Sequence, residues 1–308
     1  MHKSSGRWRL GLALALTTAV LWGFLPIGLV FLLEYMDAYT IVWYRFLAAA
    51  LTLLVVLTRT RKLPKPAQLR GNGVYLLSIA ILGLAGNYIL YMMGLERTTP
   101  GSVQIVIQLA PVFLLLGGLL IYRETFSSAQ WLGLGVLLLG LALFFNRNFN
   151  DVHGADRRFY IGLLQVFGAS VVWAAYALAQ KQLLNVMNSQ TIMFCLYVSS
   201  TLLFLPLAQP ASVLHLDALG VALLLFCCLN TLVAYGSFAE ALAHWEASRI
   251  SAILAITPLI TLLSMLGLIA LFPTIAPREN LNTISWIGAL LVVCGSVVTA
   301  RAGDHTRG

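Results

Sequence analysis

Arg45 is the only basic residue well inside one of the long uncharged runs of this sequence, here 38–58. A charged group at the centre of a bilayer costs from about 2.5 kcal/mol upward, so it must pair or face water. Three readings follow: an anchor for a substrate, a gating ion pair with Asp37 or a loop carboxylate, or an arginine snorkelling from about two turns inside the run. Other polar and aromatic residues cluster at helical spacing in neighbouring runs. Asn87 and Tyr91 are four apart, with Tyr88 beside them. Gln104, Gln108 and Pro111 fall at i, i+4 and i+7, and therefore on one helix face. Trp173, Tyr176 and Gln180 fall at i, i+3 and i+7, again on one face, Asn230, Thr231 and Tyr235 form a further group, and Ser251 and Thr257 lie around Pro258. Trp22 lies about twelve residues into its run. Amides in hydrocarbon are costly unless bonded. Such a set either lines a cavity that bonds a solute, or ties helix to helix at about 1 kcal/mol or less per bond. Aromatic walls would suit amphipathic or aromatic cargo through stacking and cation–π contact.

Pro111 and Pro258 each remove one backbone hydrogen bond mid-run, which makes them hinge candidates or static kinks. Glu240 is the most interior carboxylate, with His244 one turn on; it is either a proton-coupling group or a charge at a helix end. Gly133 and Gly140 recur as Gly288 and Gly295, seven apart in both cases, and mark faces for close helix packing within each half or between the subunits of a homodimer. The sequence offers no phosphate-binding Gly-Lys-Ser/Thr loop, no His pair at metal spacing and no Ser, His and Asp in triad positions. No catalytic residue, metal ligand or cofactor site is therefore assigned. Cys195, Cys227, Cys228 and Cys294 all lie in apolar runs and read as small buried hydrophobes.

These residues need elements to hold them, and the composition says which. Of 308 residues 60% are hydrophobic and 10% charged, with a mean hydropathy of +0.88. A soluble domain carries about a quarter charged residues, so the surplus apolar surface must face lipid. Runs of spanning length occur at 10–33, 38–58, 73–95, 101–121, 129–146, 159–181, 189–208, 216–240, 248–270 and 284–301. Lipid forces each to be a helix, because every backbone group must bond within its own segment. The first is too long for the core of a signal peptide and reads as a retained helix. The net charge of +8 sits at the ends of these runs rather than on a polar helix, which argues against a nucleic-acid partner. With the N-terminus inside, thirteen Lys and Arg fall in inner segments and five in outer ones, so both termini are expected in the cytoplasm.

The chain also resembles itself. Trp22 matches Trp173 at an offset of 151, and Tyr88 and Pro111 match Tyr235 and Pro258 at 147. Arg123-Glu124-x6-Trp131-x-Gly133 matches Arg278-Glu279-x6-Trp286-x-Gly288 at 155, which implies an eight-residue insertion around 272–277. The expected architecture is all-α and polytopic: ten transmembrane helices in two five-helix repeats, 1–150 and 151–308. Five is odd, so the second repeat enters the membrane inverted. Inverted repeats belong to transporters, whose substrate site lies where the repeats meet.

Two such repeats, an aromatic residue in the first helix of each, Trp43-Tyr44-Arg45-Phe46 in the second helix, a proline midway along helices 4 and 9, and Arg-Glu before a glycine-rich helix 5 resemble the drug/metabolite transporter superfamily. Its EamA-type branch of bacterial inner-membrane exporters is the most similar. Phe194-Cys195-Leu196 stands where the first half has Trp43-Tyr44-Arg45, which departs from a symmetric site. The resemblance implies a secondary transporter of the inner membrane, most simply an exporter, moving a small organic metabolite such as an amino acid by alternating access. The rival readings are a membrane enzyme acting on lipid and a non-transporting membrane subunit.

Overall fold

The computed structural model describes residues 7–61, 63–64, 72–122, 127–146, 157–245, 250, 253–272 and 281–301. The Arg-Glu pairs 123–124 and 278–279, Ser251 and the insertion at 273–277 lie outside them, as does the junction at 150–151. The helices are α1 Trp8–Leu32, α2 Ala38–Arg59, α3 Asn72–Leu95, α4 Pro100–Val106, α5 Leu109–Tyr122, α6 Ser128–Phe144, α7 Arg157–Leu183, α8 Ser189–Phe204, α9 Ala218–His244, α10 Thr257–Leu271 and α11 Thr283–Arg301. No strand occurs among the described residues. Of these, α1, α2, α3, α7 and α9 are each long and apolar enough to cross a membrane; the rest are shorter apolar helices. Leu132, Leu164, Leu202 and Leu225 project outward from four different helices, more than half exposed, as lipid-facing side chains do.

Local chemistry sets the helix starts. Asp37 accepts from the Thr40 amide at 3.0 Å and caps α2, and Asn188 accepts from the Thr191 amide at 2.9 Å and caps α8. In both caps the threonine hydroxyl returns a second bond to the capping side chain. These caps stand 151 residues apart, the offset that separates Trp22 from Trp173. A capping box joins Ser127 and Gln130 at the start of α6. The run expected at 189–208 is helical only to Phe204. It continues through turns into a short 3-10 helix, Pro210–His215, which docks on α2 where Tyr44 donates to the Pro210 carbonyl at 2.7 Å.

The single helix expected at 101–121 is two. The chain breaks at Ile107–Gln108, between α4 and α5, and breaks again at Ala255–Ile256 before α10. Proline is the cause. Pro111 has no N–H for the Ile107 carbonyl, and Pro258 has none for the Leu254 carbonyl. Tighter i→i−3 bonds take over: Ala110 N to Ile107 O at 2.9 Å, and Leu259 N to Ile256 O at 3.1 Å. Both prolines end up in the first turn of the following helix, where a missing N–H costs nothing, rather than midway along a bent one.

Helix packing has a two-fold pattern. Matching α1, α2, α3, α5 and α6 to α7, α8, α9, α10 and α11, the pair α1·α9 has its counterpart in α7·α3, and α1·α10 in α7·α5. The pairs α2·α8 and α6·α11 map onto themselves. The α6·α11 seam is glycine against glycine. A Cβ added at Gly140 would meet the Gly288 carbonyl at 2.8 Å, and one at Gly288 the Gly140 carbonyl at 2.7 Å. Gly133 and Gly295 reciprocate in the same way, at 2.9 and 2.6 Å. The glycine faces are thus engaged with each other inside one chain, and they join the two halves rather than packing within each half as the sequence suggested.

Candidate functional site

Between the halves lies a cavity of about 90 Å³, room for several waters. Its lining comes from α1, α2, α3, α4, α7 and α9 and from both helix breaks: Ile107, Gln108, Ala110 and Pro111 on one side, Leu254 and Thr257 on the other. Of the residues singled out above, Trp22, Arg45, Asn87, Tyr88, Tyr91, Gln104, Gln108, Trp173 and Tyr235 border it, and so does Pro111. Tyr176, Asn230 and Pro258 do not. Tyr176 turns toward α3, where a Cβ on Gly83 would lie 3.0 Å from its own, and its hydroxyl donates to Met193 Sδ at 3.6 Å.

Asn230 serves a different purpose, which begins at Pro26. That proline stands inside α1 and deprives the Trp22 carbonyl of its helical donor. Gln104 Nε2, from α4, donates to Trp22 O at 2.7 Å. On either side, Asn230 Nδ2 from α9 donates to Leu21 O at 2.5 Å, and Thr261 Oγ1 from α10 to Gly23 O at 2.7 Å. Three helices thus bond three successive carbonyls of α1. For Asn230, and for one end of Gln104, helix-to-helix bonding is the role that the geometry shows. Asn87 acts alike on the other side, donating to the Ala169 carbonyl of α7 at 3.1 Å and accepting from Tyr235 OH at 3.4 Å.

The aromatic residues make one continuous wall. Trp22 packs edge-on against Tyr235 and Trp173, with ring centroids 5.0 and 6.4 Å apart, and Phe238 fills behind both tryptophans. Tyr88 continues the wall from Tyr235, 5.3 Å away, to Phe46 at 4.4 Å. The cation–π partner of this wall is internal: the Arg45 guanidinium lies over the Tyr88 ring at 4.5 Å.

Arg45 does not snorkel. It is 2% exposed, and its Nε donates to Thr231 Oγ1 at 2.8 Å across the gap between α2 and α9. Asp37 is engaged as the α2 cap, so the gating pair considered for it is absent. Among the described residues no carboxylate lies within 4.0 Å of the guanidinium, and no Asp or Glu borders the cavity. Five further polar atoms on the lining, Trp22 Nε1, Tyr88 OH, Tyr91 OH, Gln108 Oε1 and Thr257 Oγ1, are buried with no hydrogen-bond partner among the described residues. Atoms of this kind, each costly to leave unbonded, give the cavity capacity to bond water or solute, although similar atoms at Trp43, Gln180 and Ser200 lie away from it.

Two charged groupings lie outside the cavity. Glu240 takes a hydrogen bond from Ser189 at 2.8 Å and pairs with His244 at 3.2 Å near the end of α9. The carboxylate stands between serine and histidine, which is not the Ser–His–carboxylate order of a triad. At the end of α3, Arg97 Nη1 bonds Met93 O at 2.7 Å and Gln165 Oε1 at 3.3 Å. Beside it, burial raises the Glu96 carboxyl above its ordinary value while Arg97 and Arg158 pull it back. The sequence reading missed Pro26, Leu25, Ile107, Ala110 and Leu254. A lone proline in an apolar run was the available signal for the first; the others are apolar residues like any in a span.

Comparison with known proteins agrees with this architecture. The model of the EamA-like transporter family matches twice, over residues 9–146 and 160–301. An uncharacterized transporter of Haemophilus influenzae is 38% identical over 291 residues, 94% of each chain. The inner membrane transporter YhbE of Escherichia coli K12, itself described as uncharacterized, is 39% identical over 292 residues, 94% of this chain and 91% of its own. A solved crystal structure shares the fold at a TM-score of 0.65 and 17% identity, covering 95% of this chain and 96% of that one. This membrane protein belongs to the EamA-like transporter family.

Proposed function

We propose that the chain is a secondary transporter that carries a small organic solute, an amino acid or similar amphipathic metabolite, by alternating access, and that it exports it. It acts in the inner membrane with both termini in the cytoplasm, and it is not an enzyme. Its two units, 1–150 and 151–308, rock about the cavity, with the breaks at Pro111 and Pro258 as hinges. One observation carries this reading: the cavity lies where both halves meet, and both discontinuous helices open onto it. In transporters built from repeats, broken helices mark the solute site near the bilayer centre. Names of relatives as transporters, one of them of the inner membrane, support the reading.

The test is solute flux in liposomes holding the purified protein. A panel of amino acids, organic acids and dye-like cations is presented under imposed gradients. At least one small solute should move in a saturable, protein-dependent way. Movement of none of them, in either direction, would reject transport.

A further inference from the structure

The unpaired guanidinium at the cavity wall bears on what the site selects. Resting on the transport reading above, we infer that the cavity recognises net-anionic organic carboxylates, with Arg45 as the anchor of the carboxylate and the tryptophan wall holding the carbon skeleton.

Charge decides between solute classes. Arg45 is a permanent cation, and a buried arginine ordinarily has a carboxylate partner. Here one hydrogen bond to Thr231 and one ring face of Tyr88 are what the protein supplies. No acidic residue borders the cavity among the described residues, so a solute ammonium has no ionic partner. Helix dipoles supply no counter-charge: the N-terminal end of α10, whose Thr257 lines the cavity, is positive. At the first break the C-terminal end of α4 meets the N-terminal end of α5, and their partial charges of opposite sign largely offset. The site therefore presents one uncompensated positive charge.

Geometry adds direction. The guanidinium is a planar fork suited to two parallel bonds with a carboxylate, and Nε, already bonded to Thr231, leaves the outer nitrogens for that role. Tyr88 covers one face of the fork, which leaves its edge and its other face to a ligand. The same cavity is lined by Trp22 and Trp173, whose rings meet edge to face at 6.4 Å. A small carboxylate with an apolar body meets both. A zwitterionic amino acid meets the same anchor but leaves its ammonium to neutral acceptors such as Gln108 Oε1.

Binding to the purified protein tests this with matched probes: butyrate, benzoate and phenylacetate, each beside its neutral amide and its amine, read by intrinsic tryptophan fluorescence and by competition in flux. The carboxylates should bind roughly tenfold to a hundredfold tighter than amide or amine, the range of a charge-assisted pair. Arg45→Leu should erase that preference, and Arg45→Lys should restore part of it. Where Arg45→Leu fails to fold, Thr231→Asp decides: it keeps the arginine, gives it an internal carboxylate, and should abolish the preference. Amines or amides binding as well as carboxylates, no probe binding at all, or a preference that survives in Thr231→Asp would overturn the inference. A protein that transports amines would sink this inference and leave transport standing, whereas a protein that moves no solute removes both.

Discussion

The cavity and the α6·α11 seam are built on opposite principles from the same kind of apolar helix. At the seam, side chains are removed until backbones touch: four glycines meet as two reciprocal pairs, and no methyl group fits between the helices. At the cavity, large aromatic and amide side chains gather round a space they do not fill, and polar atoms there have no protein partner. Where helices must hold, contact is complete and dispersion does the holding. Where a solute must enter and leave, bonding capacity is left open at a cost in stability. Mutations should therefore separate the regions: seam variants harm the fold, and cavity variants harm flux with the fold intact or firmer.

The largest effect belongs to the seam. Gly288→Leu should cost about 3 kcal/mol or more, because the new side chain meets backbone rather than a movable group, and should show as loss of monodisperse protein in detergent. Gly135→Ala, on the partner helix α6 with nothing within 4 Å of the added methyl, is the control. It should unfold at the same temperature as the parent or slightly higher, since alanine favours helix. Equal damage from both would erase the distinction between seam and surface.

Arg45→Leu comes next. Flux should fall by roughly a hundredfold, the upper end for a lost charge-assisted contact, while the melting temperature stays level or rises because an unpaired buried charge is gone. A melting temperature well below the parent would make Arg45 a structural residue. Gln108→Leu should be milder. Its Oε1 has no protein partner, so stability should not drop, and the half-saturating solute concentration should rise several-fold, as for one neutral hydrogen bond of about 1 kcal/mol.

Gln104→Leu is the smallest and the most diagnostic, because Gln104 borders the cavity yet bonds Trp22 O. It should lower stability by about 1 kcal/mol with flux retained per folded molecule. In a Pro26→Ala background, where α1 recovers its own donor, that loss should vanish.

The sequence made the helices and their repeat readable for a physical reason: lipid imposes long apolar runs, and the two halves carry tryptophans, prolines and glycines at matching offsets. It did not show that α6 and α11 would pair across the halves. The polar residues were equally visible, since few amides occur in such runs. What each amide bonds was not visible. Gln104 and Asn230 look like Gln108 on a helix face, and only the kink at Pro26 in a different helix separates those that hold α1 from the one that faces open space. The breaks were half legible. Proline announced an interruption, but whether a helix bends or divides depends on which tighter turn bonds replace the lost one, and that is set by packing around 107–108 and 255–256. The idle guanidinium was legible as a charge and illegible as an unpaired one, because Asp37, eight residues earlier in sequence, turned out to cap a helix.

Access to residue 108 from the two faces of the membrane tests the central claim most directly. In a background with Cys195, Cys227, Cys228 and Cys294 replaced by alanine, Gln108→Cys is exposed to a small membrane-impermeant thiol reagent in right-side-out and in inside-out vesicles. A cavity that opens alternately to each side predicts labelling in both preparations, slowed in both by a transported solute. Labelling from neither face, or from one face alone with no effect of solute, would contradict the account.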